Sequence, residues 1–182
     1  MIRTTLLLGG ARSGKSRLGE ELALESGLDP VYIATAEARD GEMQARIRRH
    51  QQQRGEGWQT IEEPLFLTKT IRQEAAPERI LLVDCLTLWL SNLIEQDRDV
   101  AGAGGELCAA LAATRGPVIL ISNEVGQGIV PANALARHFR DEAGRLNQKI
   151  AAAVSDVSLI VAGLSLPLKR DGKPINREGL IL

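Results

Sequence analysis

Cysteine is scarce in this 182-residue chain, which carries only Cys85 and Cys108. Two thiols so far apart exclude a disulfide framework, a zinc knuckle and a CxxC redox motif, and both read as small apolar residues of a core. Charge of one sign is lacking too: 22 basic residues face 23 acidic ones, for a net −1. No overall field argues for nucleic acid or an anionic membrane as partner, so any bound anion must be held locally. No apolar run approaches the roughly 20 residues of a membrane span, and the first residues lack the charged, apolar and small-residue succession of an export signal. A cytoplasmic protein with no membrane span is expected. Aromatic residues amount to 3%, and no exposed apolar stripe is evident, which leaves little on which to build a partner-dependent switch. Internal repeats and domain linkers are also missing. With 44% hydrophobic residues, a chain of this length can bury one core but not two, so residues 1–182 are expected to form a single domain.

What is present is a recurrence of short apolar, β-rich runs at Thr5–Leu8, Val31–Ala34, Ile80–Val83, Val118–Ser122 and Val157–Ala162. Most are continuous rather than alternating, as strands buried on both faces are. Helical patterns lie between several of them, at Lys15–Glu25 and from about Asn133 to Val154, where Leu135, Phe139, Leu146 and Ile150 keep a helical spacing. Strand and helix in alternation imply an α/β fold, a mostly parallel sheet flanked by helices. Right-handed crossovers then bring the loops after the strands to one carboxyl edge, where open α/β sheets bind ligands. The Gly- and Ala-rich stretch Val100–Gly105 reads as a surface link between two helical pieces. Residues 166–182, with the charged turn Lys169–Pro174, read as an edge hairpin or a loose tail.

The residues Gly9, Gly10, Ala11, Arg12, Ser13, Gly14, Lys15 and Ser16 match G-x-x-x-x-G-K-[ST] directly after one strand and directly before one helix, the context that a phosphate-binding P-loop requires. Glycines let the backbone curl until several N–H groups point at phosphate oxygens, and the positive end of the helix reinforces them. Lys15 adds a point charge at the β/γ-phosphates, and Ser16 offers a hydroxyl to Mg²⁺. Arg12 reaches phosphate or sits solvated at the rim. The run Ile80–Asp84 is an apolar strand that ends in a carboxylate. Two roles are open to Asp84: holding the Mg²⁺ or its waters, or capping the helix that follows.

Many P-loop enzymes share those two elements. Three further segments narrow the field: GGARSGKS itself; Tyr32-Ile-Ala-Thr35 followed by Glu42-Met-x-x-Arg46-Ile-x-x-His50; and Asn123-Glu-Val-Gly-x-Gly-Ile-Val-Pro131 leading to Leu135-Ala-Arg-His-Phe-Arg-Asp141. Together, over roughly residues 4 to 165, they resemble the bifunctional adenosylcobinamide kinase/adenosylcobinamide-phosphate guanylyltransferase family. The resemblance implies a RecA-like P-loop NTPase fold and a homotrimer. It also implies two activities: phosphorylation of adenosylcobinamide by ATP or GTP, then transfer of GMP from GTP through a guanylylated histidine, with release of pyrophosphate. By the same resemblance the GMP-bearing histidine falls on His50. Nucleotide contacts fall on Gly9–Ser16, on Ala34, Thr35 and Ala36, on Gln51, Gln52, Gln53 and Arg54, on Glu62 and on Asp84. The stretch Gln51–Arg54 fits the family only loosely, and Arg49 stands where relatives can show a first histidine.

The residues themselves say less about His50. Met43, Ile47 and His50 share one face of a predicted helix with Arg46, Arg48 and Arg49 beside them. Alone, this pattern reads first as a half-buried position next to a solvated basic face, and the resemblance is what makes His50 a nucleophile. Imidazole suits that chemistry, being neutral and nucleophilic near pH 7. The other histidine, His138, reads as a capping or packing residue. Asn123 and Glu124 belong on the same carboxyl edge as the phosphate loop, either placing substrate or shaping a turn. Two rival readings remain at this stage, a P-loop small-molecule kinase without guanylyl transfer and a nucleotide-dependent regulatory switch.

Overall fold

The computed structural model describes residues 3–37 and 57–175. Their elements run β1 (Thr4–Gly9), α1 (Lys15–Glu25), β2 (Asp29–Ala34), β3 (Gln59–Glu62), α2 (Leu67–Glu74), β4 (Arg79–Asp84), α3 (Leu86–Glu95), α4 (Val100–Ala112), β5 (Val118–Asn123), α5 (Ala134–Ala153), β6 (Asp156–Val161), β7 (Leu164–Arg170) and β8 (Lys173–Pro174). They build one sheet in the order β3-β2-β4-β5-β1-β6-β7-β8. Neighbours from β3 through to β6 pair in parallel, while β7 and β8 extend the edge antiparallel.

The continuous apolar runs follow from burial on both sides of this sheet, since successive strand residues point to opposite faces. Leu6, Leu81, Val83 and Leu120 face one core, built with Leu67 and Ile71 of α2, Trp89 and Leu90 of α3, Leu107 of α4 and Ile150 of α5. Their neighbours Leu7, Ile80, Leu82, Ile119 and Ile121 face the other, which includes Ala23 of α1. Helix α1 lies close to the strands at Gly19, where an added Cβ would be 3.0 Å from Leu82 Cδ1.

Two sequence expectations are corrected. The stretch Val100–Gly105 is no surface link but the first half of α4. Asp99 caps it by accepting from Gly102 N at 2.9 Å, and Gly104 is buried, packed closely on Leu146 of α5, whose Cδ1 is 3.2 Å from where a Cβ would stand. Close packing has overridden the low helix propensity of glycine. Leu135, expected on the apolar stripe of α5, is 68% exposed, and Ile129 in the preceding loop is 98% exposed, so exposed apolar side chains do occur beside β5. After β6, β7 and β8 pair antiparallel around a turn with Asp171 and Gly172 at positive φ, while residues 176–182 of the expected hairpin or tail lie outside the described residues. Among the described residues no helix is long and apolar enough to cross a membrane.

Candidate functional site

Strand β1 ends at Gly9, where an added Cβ would stand 2.6 Å from both Ile160 O and Ser13 Oγ; only glycine fits. The chain then curls through a Ser13 N to Gly10 O bond of 3.3 Å, with Arg12 at φ 57 and Gly14 at φ 97, the left-handed region that glycine enters without a steric penalty. Gly14 is the N-cap of α1 and offers no side chain to its first turn. The positive end of the helix dipole lies at this turn, where it favours an anion. The loop is braced from β6–β7, where Gly163 N donates to Ser13 O at 2.8 Å. Lys15 is 7% exposed and its Nζ donates to Gly10 O at 3.0 Å, across the loop. Ser16 is half-buried and Ala11 and Arg12 are exposed. These are the local features of a phosphate cradle.

Register sets the rest of the edge. Gly9 pairs with Asn123 on β5, and Ile121 on the same strand pairs with Asp84 on β4. One strand therefore separates the loop from the acid, a gap of about two strand spacings, ~10 Å. On the far side of Asp84 comes Ala34 of β2, then Glu62 of β3, all three in register. The fold thus brings Gly9–Ser16, Ala34, Glu62 and Asp84 to one carboxyl edge, with Asn123 and Glu124 between loop and acid. Glu124 N donates to Gly9 O at 3.1 Å, and its carboxylate accepts from Gly126 N, so that side chain closes its own turn. His138 is exposed on α5 and does not pack as expected. His50 and Gln51, Gln52, Gln53 and Arg54 lie outside the described residues.

Asp84 does not cap α3, whose N-cap is Cys85 with no side-chain bond. Its Oδ2 accepts from Tyr32 Oη at 3.1 Å, and among the described residues Oδ1 carries no hydrogen bond. One hydroxyl, one carboxylate oxygen and a phosphate cradle suit Mg²⁺, which takes one or two protein oxygens, substrate phosphates and its own waters. No cluster of three or more His, Cys, Asp or Glu stands among the described residues.

Sequence reasoning missed the polar groups beneath the edge. Thr35 Oγ1 donates to Cys85 O at 2.7 Å and accepts from Cys85 N at 2.8 Å. Asn92 of α3 donates to Thr35 O at 2.8 Å and to Pro64 O at 3.0 Å. Asn147 of α5 accepts from Ser122 Oγ at 2.7 Å and donates to Asn123 O, while Asn123 N donates to Thr87 Oγ1 at 2.7 Å. The available signal was a buried-face Asn in two otherwise apolar helical stripes. Beside Asp84, the Cys85 thiol is pushed up to about 11, first by burial and then by the neighbouring carboxylate, so it is neutral and unsuited to nucleophilic work.

A phosphate loop on β1, an acid two strands away on β4 and a strand interposed between them define a P-loop nucleotide-binding protein of the RecA-like arrangement. Solved structures share the fold. A Pyrococcus horikoshii OT3 protein superposes with a TM-score of 0.56 at 12% identity, over 97% of this chain and 93% of that one. The RadB recombinase does so at 0.50 and 15%, over 86% and 73%. The sequence resolves the family: residues 5–168 match the model for cobinamide kinase / cobinamide phosphate guanyltransferase, and the chain belongs to that family. It is 52% identical over 172 residues to the bifunctional adenosylcobalamin biosynthesis protein CobP of Pseudomonas aeruginosa, covering 93% of this chain and 98% of the relative. With the Escherichia coli K12 protein CobU of the same description it shares 41% over 179 residues, 90% and 98% of the two chains.

Proposed function

We propose that this protein is a cytoplasmic, single-domain, homotrimeric enzyme that phosphorylates adenosylcobinamide with ATP or GTP and then converts the product to adenosylcobinamide-GDP with GTP. The observation that carries the reading is a phosphate cradle intact to the geometry of Gly14 and Lys15, in a chain that belongs to a family described by both reactions. In the first reaction the aminopropanol hydroxyl of the corrinoid attacks the γ-phosphorus of the nucleotide held at Gly9–Ser16, the hydroxyl proton leaves to solvent or base, and a nucleoside diphosphate departs. Lys15 would swing from Gly10 O to the phosphates and offset charge growing there. Ser16 and Asp84 would hold Mg²⁺, which would supply charge neutralisation to the phosphates.

In the second reaction a neutral nitrogen of His50 attacks the α-phosphorus of GTP, a phosphoramidate forms and pyrophosphate leaves. The phosphate of adenosylcobinamide phosphate then attacks that phosphorus, and the imidazole is restored. Ala34, Thr35, Ala36, Gln51–Arg54 and Glu62 contact nucleotide in this reading. The resemblance supports them, and the register of Ala34 and Glu62 beside Asp84 is consistent with it.

The test is incubation of purified protein with Mg²⁺ and GTP labelled at the α-phosphate, followed by denaturation, in wild type and His50→Ala. Acid-labile, base-stable label in the wild type and none in the variant is expected, with adenosylcobinamide phosphorylation retained by both. Absence of label from wild type would reduce the protein to a kinase without guanylyl transfer, and equal loss of both activities in His50→Ala would make His50 structural.

A further inference from the structure

The metal-facing carboxylate is held from an adjacent strand by side chains that no nucleotide needs to touch. Tyr32 is 5% exposed, its ring meets Trp58 edge-on at 6.1 Å, and its hydroxyl donates to Asp84 Oδ2. Thr35 is 0% exposed. Its backbone N donates to Asp84 O at 3.2 Å, and its hydroxyl holds both the N–H and the carbonyl of the next residue, Cys85. Asn92, 4% exposed, completes the set by tying Thr35 O to Pro64 O, which joins the ends of β2 and β3 to α3.

Buried polar groups find partners in any fold, so the bonds alone do not distinguish architecture from function. Their targets do. A phenylalanine would fill the space of the Tyr32 ring, and what the hydroxyl adds includes a bond to a carboxylate that stands at the binding edge. A valine would fill the space of Thr35, and what the threonine hydroxyl adds is two bonds to the backbone N–H and carbonyl of Cys85, the residue immediately after Asp84. We infer that Tyr32 and Thr35 are positioning residues that fix Asp84 in its metal-facing orientation, Tyr32 through the carboxylate and Thr35 through the backbone. The inference rests on the reading of Asp84 as a metal residue given above. It also moves Thr35 away from direct nucleotide contact through its side chain.

The test is Tyr32→Phe, which keeps the ring, together with Thr35→Val, Thr35→Ser and Asp84→Asn. Two quantities are read: the Mn²⁺ concentration that half-saturates the protein in the presence of a non-hydrolysable GTP analogue, followed by the electron paramagnetic resonance of free Mn²⁺, and the split of kcat against corrinoid KM. Partners of a metal-facing ligand typically change metal affinity or activity by about 10- to 100-fold. Tyr32→Phe and Thr35→Val are expected to weaken Mn²⁺ and lower kcat within that range, with corrinoid KM unmoved, and Thr35→Ser to restore both. Wild-type Mn²⁺ binding and kcat in Tyr32→Phe, with only the melting temperature lowered, would overturn the inference. Should Thr35→Val fail to fold, Tyr32→Phe decides. Wild-type Mn²⁺ binding in Asp84→Asn would instead refute the metal reading of Asp84 itself.

Discussion

Replacing Gly14 by alanine tests the phosphate cradle without removing any charge. Gly14 has φ 97 and ψ 1, where an L-residue with a Cβ is disfavoured by about 1–2 kcal/mol. The new methyl would also stand 3.2 Å from Gly163 Cα, a backbone atom that cannot rotate away. Its own N–H is bonded to Ser13 O, so yielding there would loosen the brace on the loop. A contact of that kind adds about 1–3 kcal/mol, and reduced freedom of the unfolded chain returns about 0.4–1 kcal/mol. A net loss of about 1–4.6 kcal/mol lowers the melting temperature by roughly 2–18 °C for a chain of this size. A second effect is independent of the first. Nucleotide at about 100 times its Kd stabilises the wild type by ~2.7 kcal/mol, or roughly 5–10 °C, and a loop that no longer curls forfeits that shift. Thermal melts with and without Mg²⁺ and GTP measure both, and Gly144→Ala serves as control. Gly144 lies inside α5 with nothing within 4 Å of an added Cβ, so that change should stabilise by about 0.5–1 kcal/mol and keep the nucleotide shift. A Gly14→Ala protein melting within about 1 °C of wild type and fully shifted by nucleotide would refute the reasoning.

Lys15→Ala should lower both phosphorylation and guanylyl transfer by about 10²–10³-fold, because in the proposed function each uses a triphosphate in the same loop. Normal turnover in that variant would refute the loop assignment. Cys85 yields a pH prediction. A thiol whose folded value is about 11, above the ordinary 9.0, holds its proton longer in the folded chain. The stability tied to it is intact below about pH 9 and lost as pH rises from there through about 11. Urea unfolding midpoints from pH 7 to pH 10.5 should fall above pH 9 and do so less in Cys85→Ala. Alkylation of Cys85 at pH 8 should require unfolding.

What the sequence made legible was local. The residues from Gly9 to Ser16 lie on one turn between one strand and one helix, and Asp84 is the first charge after four buried apolar positions. The bounds of α5 could be read from Asn133, whose side chain accepts from Ala136 N at 2.7 Å, and from Val154, its extended C-cap. What escaped was non-local or short. Strand β3 has four residues with one half-buried and three exposed, so no apolar run announces it, although it delivers Glu62 to the edge. Val100–Gly105 misled because glycine content is read as a loop signal, whereas here Gly104 is small in order to let α4 meet Leu146.

The support of Asp84 is the clearest case of chemistry that cannot be read along the chain. Tyr32 and Asp84 stand 52 positions apart and Asn92 and Thr35 stand 57 apart, and nothing in either neighbourhood names the other. What a sequence can show is the anomaly: Asn92 shares its helix with buried Leu86, Trp89, Leu90 and Leu93, and Asn147 sits among buried Ala143, Leu146 and Ile150. An amide on an apolar face must find partners in the folded state or destabilise it by about 1–3 kcal/mol. In both helices the partners found are backbone or hydroxyl groups at the ends of β2, β3 and β5, beside the carboxyl edge where the phosphate loop and Asp84 meet. A polar residue on an otherwise apolar helix face therefore points to the edge of the sheet that needs holding, even when the strands it holds are dozens of residues away.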